Sequence, residues 1–197
     1  MEPGDYRAIA PLMGLLWSPL AAITSNWQGE VNAQIGVSIS AASIVPQRPR
    51  LLVQIYKNNH SHHLIYQSAV LAVNFLRRDQ LDLIKAFGFV SGRDTDKLAG
   101  IDYDTGATGC PLLRDCWGYL DCRVVNALDG GDLTCFLAEV LAGETRSDDG
   151  PLYWRDARRR IPPEWNQEWD RRIGQQIESS RQIMDRIDYQ PWHSPEV

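Results

Sequence analysis

Between Leu15 and about Leu141 the chain is a series of short apolar runs separated by turn-forming clusters, the pattern of a barrel or sandwich and not of a helical bundle. The runs predict strands over Leu20 to Thr24, Val31 to Ser40, Arg50 to Ile55, Ala69 to Leu76, Tyr119 to Ala127 and Leu133 to Ala142. Trp27-Gln28-Gly29-Glu30 supplies a turn between the first two and Asp129-Gly130-Gly131-Asp132 between the last two, so mostly antiparallel pairing is expected. Two short helices interrupt the series and are expected as lids on the barrel. One is His62 to Gln67 with Ser61 as N-cap; the other is Gln80 to Phe87, with Leu81, Leu83, Ile84 and Phe87 on one face.

Beyond Pro162-Pro163 the period changes. Trp165, Trp169, Ile173, Ile177, Met184 and Ile187 recur at helical spacing among charged residues, which predicts an amphipathic helix whose apolar stripe is a packing surface. The chain therefore divides into a mainly β domain over 1–147, a linker over 148–163, a C-terminal helix over 164–188, and a tail over 189–197 in which Pro191 and Pro195 favour fraying.

Composition narrows the classes. The 197 residues suit one domain, and 44% hydrophobic with 23% charged residues is ordinary for a globular chain. A net charge of -5 opposes the counterion-release attraction of nucleic-acid binders, and the local run Arg155, Arg158, Arg159, Arg160 reads as a solvated face. The longest apolar stretch, Leu12 to Ile23, is broken by Gly14, Ser18 and Pro19, so no membrane span is expected. No basic start precedes an apolar run at the N-terminus, which makes the cytoplasm the expected location. Cys110, Cys116, Cys122 and Cys135 form no C-x-x-C pair and read as reduced thiols, neither a disulfide framework nor a zinc site.

Three polar clusters carry candidate chemistry. Lys57-Asn58-Asn59-His60-Ser61-His62-His63 follows a strand and opens a helix, where a lysine charge, amide side chains and free N–H groups can converge on an anion; a capped turn explains it equally well. Ser91-Gly92-Arg93-Asp94-Thr95-Asp96-Lys97 can add Arg93 and Lys97 to the same anion, or be a loop of exposed ion pairs. Asn32 to Ser40 alternates small and polar side chains along a strand, which lets a flat ring approach the backbone. The histidines are poor chelators: neighbours on a helix such as His62 and His63 point about 100° apart.

Taken with Leu71-Ala72-Val73-Asn74-Phe75-Leu76, Phe87-Gly88-Phe89-Val90-Ser91-Gly92-Arg93 and Gly106-Ala107-Thr108-Gly109-Cys110-Pro111, these clusters resemble the flavin reductase-like family, in particular its flavoredoxin and rubredoxin-linked NAD(P)H:FMN oxidoreductase branch. The resemblance runs from about Leu15 to Tyr153. It implies a mainly β, FMN-binding split barrel and a homodimer with FMN near the subunit interface. It also implies hydride transfer from NADH or NADPH to the flavin, with no protein acid, base or nucleophile required. Carried onto this chain, Gln34, Ser38 and Ser40 become contacts to the isoalloxazine and ribityl chain, Lys57, Asn58, Asn59 and Ser61 contacts to the phosphate, and Arg93 and Lys97 outer supports. Two positions depart from the family pattern: Leu133 stands where a histidine is common, and Ile35 where a hydroxyl residue is common. Leu133 favours an alternative, a non-turnover FMN-binding electron-transfer protein that exchanges electrons with a redox protein partner.

Overall fold

The computed structural model describes residues 6–195. A helix, Tyr6–Met13 (α1), and a single 3-10 turn, Gly14–Leu16, lead into the first strand pair, Ala21–Trp27 (β1) and Glu30–Gly36 (β2). Gln28 and Gly29, both at positive φ (53° and 86°), close that hairpin with the backbone twist a two-residue turn requires. Then follow Ile39–Ala41 (β3), Arg50–Tyr56 (β4), His60–Ser68 (α2), Val70–Phe75 (β5), Asp82–Gly88 (α3), Tyr103–Thr105 (β6), Pro111–Leu113 (β7), Gly118–Asp129 (β8), Leu133–Thr145 (β9), Trp154–Arg160 (α4) and Pro163–Arg181 (α5).

Seven strands form one sheet in the order β2-β1-β5-β8-β9-β4-β3, with every pairing antiparallel. The two edge strands, β2 and β3, are joined by Val37 and Ser38 alone. A flat seven-stranded sheet would hold its edges about 29 Å apart, whereas the three Cα steps from Gly36 to Ile39 reach about 11 Å. The sheet must therefore curl until its edges meet, leaving a split between β2 and β3. The single strand expected over Val31 to Ser40 breaks at this corner: the Val37 carbonyl accepts from the Ser18 N–H (2.8 Å) and the Ser38 carbonyl from the Gln54 N–H (3.0 Å).

β1 is buried on both faces, and its alternation divides the core. Ala21 and Ile23 face the inside of the curl with Val53, Ile55, Val73 and Phe136. Leu20 and Ala22 face outward under α3 and α4, with Ile84, Phe87, Trp154 and Ala157.

The stretch expected as a linker is instead part of this outer layer, since Trp154, Ala157 and Ile161 are buried. The C-terminal helix stops at Arg181, short of the expected Asp188, and has no fully buried residue. Trp165 and Trp169 fasten it, with Trp169 lying 4.4 Å from Trp154 and 6.1 Å from Phe89 between ring centroids. The tail was expected to fray; instead it returns across the barrel, and Trp192 packs against the inner cluster.

Candidate functional site

The segment after β4 is divided between two sides of α2. Lys57 turns toward the β8–β9 hairpin, where its ammonium pairs with both Asp129 oxygens at 2.8 and 2.6 Å. Burial pushes the Asp129 carboxyl up, but Lys57 and the Gly131 N–H outweigh it, so its pKa lies below the ordinary value. This lysine is therefore not a free cation, and its partner lies 72 residues away in the chain.

Asn58, Asn59, Ser61 and Arg93 gather on the other side. Asn59 occupies the cap position of α2 without a side-chain bond, and the helix begins at His60. Ser61 is not the expected N-cap: it lies in the first turn, fully buried, and its Oγ accepts from Asn32 Nδ2 at 2.8 Å. Arg93 is exposed and donates to the Asn58 carbonyl at 3.2 Å, which ties the 91–97 loop to the start of α2. A shallow cavity of about 450 Å³ lies along that loop, lined by Glu30, Val31 and Gly92 to Asp96. A Cβ on Gly92 would stand 2.1 Å from Asn32 Oδ1, so the loop meets β2 in direct contact.

Lys97 is not brought to this group. Its ammonium points inward and donates to the carbonyls of Ala33 (3.0 Å) and Phe87 (2.9 Å), fastening edge strand β2 to the end of α3. Burial, with a smaller contribution from the Arg172 charge, lowers its pKa to about 8.

Along β2 the side chains of Asn32 and Gln34 share one face, opposite Ser25 and Ile23 of β1. Gln34 is 8% exposed, and its Oε1 has no hydrogen-bond partner among the described residues. Ser25 Oγ is likewise buried without a partner among them. Ser38 follows in the β2–β3 corner, half-buried, and Ser40 lies exposed on edge strand β3. Ile35 points the other way and packs into the outer cluster, so a hydroxyl at this position would not lie on the Gln34 face.

The histidines part company as well. His60 contacts Glu30 at 2.5 Å, His63 meets the Trp27 ring edge-on, and His62 Nε2 lies 2.8 Å from Thr134 Oγ1. Among the described residues no group of three His, Cys, Asp or Glu could hold a metal ion. Burial first, then the Lys57 charge, lowers the His62 pKa to about 4, so this imidazole is neutral at pH 7. An imidazole thus arrives from α2 against Thr134, a placement no sequence spacing announces.

His62 and Lys57 line a second cavity of about 410 Å³, together with Tyr66 of α2, Asp129 and Thr134 from the barrel, and Asp188 and residues 190–193 from the returning tail. Sequence reasoning missed the tail's part in it. The one available signal was Trp192, a large apolar side chain between two prolines.

The family described as Flavin reductase like domain matches residues 13–162. The chain is 29% identical over 164 residues to "Flavin-dependent monooxygenase, reductase subunit HsaB" of Rhodococcus jostii, covering 83% of this chain and 82% of that protein. It is 30% identical over 149 residues to a high molecular weight rubredoxin of Moorella thermoacetica, covering 73% of this chain but only 64% of that relative. Among solved structures, nitrilotriacetate monooxygenase component B from Mycobacterium thermoresistibile superposes with a TM-score of 0.65 at 26% identity, covering 77% of this chain and 82% of that one.

Proposed function

The chain belongs to the flavin reductase like domain family by its match over residues 13–162, and from that premise we propose that it binds FMN and works as an NAD(P)H-dependent flavin reductase. The observation that carries the reading is the meeting of three polar segments distant in sequence. Asn32 of β2 bonds Ser61 of α2, Arg93 bonds the Asn58 carbonyl, and Gln34 follows on the same face of β2 with an unpaired buried acceptor. At about 3.4 Å per residue, the stretch from Asn32 to Ser38 is long enough for a phosphate at one end and a ring system at the other.

The donor set fits FMN. Gln34 Oε1 lacks a donor, and the N3–H of an isoalloxazine edge is one. Arg93, the carboxamides of Asn58 and Asn59, and the first N–H groups of α2 suit a phosphate. Ser38 and Ser40 offer hydroxyls to the isoalloxazine and ribityl chain, and Lys57 adds its charge to the phosphate once it leaves Asp129. Ser61 serves from beneath, through Asn32. Bound FMN supplies the chemistry, accepting hydride from a reduced nicotinamide and passing electrons onward. The protein's part is to hold and orient it, which is why the reading assigns no acid, base or nucleophile.

The same reading takes the protein as a homodimer in the cytoplasm. Leu12, Leu15 and Leu16 are 63%, 72% and 73% exposed around α1, an apolar patch that a second copy would cover. Among the described residues no helix is long and apolar enough to cross a membrane. Leu133 supports a second reading, an FMN-binding electron-transfer protein that exchanges electrons with a redox protein and does not oxidise a nicotinamide. One experiment separates the two: a visible spectrum of the protein with FMN, followed by anaerobic NADH and then NADPH. Bleaching of the flavin bands is the expected result. Bound flavin that stays oxidised with both selects the second reading, and failure to take up FMN overturns both.

A further inference from the structure

We propose that residues 182–195 form an autoinhibitory latch that keeps the Lys57 ammonium on Asp129 and away from an incoming phosphate. The inference rests on the reading of Lys57 as a phosphate contact. After α5 the chain turns, with the Met184 N–H bonding the Ser180 carbonyl (2.9 Å) and the Arg186 N–H the Ile183 carbonyl (2.9 Å), and then lies across the β8–β9 hairpin.

Three points seat it. At the hairpin, Gly131 has φ of 88°, and a Cβ there would stand 2.0 Å from the Met184 carbonyl oxygen; the two backbones touch with no room for a side chain. One step further Asp188 joins the wall of the cavity that Lys57 and Asp129 line, where the Asp129 carboxylate already accepts from the Gly131 N–H at 2.7 Å and from Lys57. Finally, Trp192 packs on the inner core cluster.

The sign of the effect follows from these contacts. Asp129 is held in place by donors from the hairpin and from Lys57, and the latch walls the cavity they share, so the ion pair is more fixed than a surface pair. The latch also brings the Asp188 carboxylate to the wall of the cavity that Lys57 lines, where it opposes any anion. Yet the Lys57 side chain remains 27% exposed, so a phosphate can reach it once the pair opens. Releasing the latch wets the ion pair and takes a negative charge from the cavity. Both changes free the Lys57 ammonium to turn toward a phosphate at the start of α2.

The test uses the full chain and two independent ways of loosening the latch: Trp192→Ala, which removes the seat, and Asp188→Asn, which removes the charge from the cavity wall. FMN and riboflavin affinities are measured by quenching of flavin fluorescence, with and without Lys57→Met, after circular dichroism has shown each variant folded. The expected result is FMN binding about threefold to tenfold tighter in both variants, riboflavin binding unchanged, and the gain erased by Lys57→Met. Unchanged FMN affinity in both variants overturns the latch. An equal gain for riboflavin also overturns it, by showing a steric cover that does not act through Lys57. If Lys57→Met leaves FMN affinity unaltered in the loosened chains, the reading of Lys57 as a phosphate contact has failed, and FMN binding by the family fold stands apart from it.

Discussion

Replacing Gln34 by leucine should move apo stability and flavin affinity in opposite directions. Gln34 is buried on β2 beside Ile23 of β1, and its Oε1 has no partner among the described residues. A buried acceptor without a donor costs about 1–3 kcal/mol, while an apolar side chain of similar length avoids that cost. Leucine next to Ile23 should therefore stabilise the apo fold by about 1 kcal/mol, which for a domain of this size raises Tm by about 2–4 °C. The same change removes the acceptor offered to the flavin N3–H, so FMN should bind about threefold to tenfold more weakly, the worth of one neutral hydrogen bond. Because the lost contact is to the ring, riboflavin should weaken by the same factor. Differential scanning calorimetry of the apo protein and fluorescence titration with both flavins measure the two halves. A variant that is less stable and binds both flavins as well as the parent would show that Gln34 is a structural residue, and the site would have to be placed elsewhere.

His62 supplies a pH prediction. Its folded pKa of about 4 lies below the ordinary 6.5, so its contribution to stability is full above 6.5 and is lost as pH falls toward 4. Urea unfolding at pH 7 and pH 5 should differ by about 1–2 kcal/mol more in the parent than in His62→Gln, allowing for the partial exposure of the ring; equal pH dependence would refute the burial argument. Trp169→Ala should cost about 3 kcal/mol in urea unfolding, the low end for such a truncation because the ring is only partly buried against Trp154 and Phe89. A loss under about 1 kcal/mol would mean that α5 is not fastened to the barrel through this residue.

What was legible in the sequence was whatever depends on local pattern. The spans of β4, β5, β8 and β9 follow their apolar runs, and the hairpin turns fall at Gln28-Gly29 and within Asp129-Gly130-Gly131-Asp132, as their turn-forming residues announce. The three-residue strands β6 and β7 are too short to show a period. Helix α4 did carry a helical signal in Trp154, Ala157 and Ile161, but the arginines at 158 to 160 disguised it as a linker. Charge partners were illegible for a different reason. The sequence shows that Lys57 and Lys97 are cations near polar residues; it cannot show that one is held by Asp129 and the other by two backbone carbonyls. Such pairings depend on how strands far apart in sequence are brought together.

That dependence also explains where the candidate site lies. In a sheet ordered β2-β1-β5-β8-β9-β4-β3, the strands consecutive in the chain at its two edges are forced together by a two-residue corner. An edge strand has backbone groups with no ladder partner. In β2 one of its carbonyls, that of Ala33, is already satisfied by Lys97, while its Gln34 side chain retains an acceptor that nothing in the described chain supplies with a donor. Closing the sheet fully would pair the backbone groups of that edge with those of β3. Leaving it split preserves an unpaired edge beside the start of α2, so that, on the function proposed above, polar groups along the strand and N–H groups at the helix end would serve one ligand. The topology that looks like an incomplete barrel is, on this argument, what keeps a flat, phosphorylated ligand's two ends within reach of one strand.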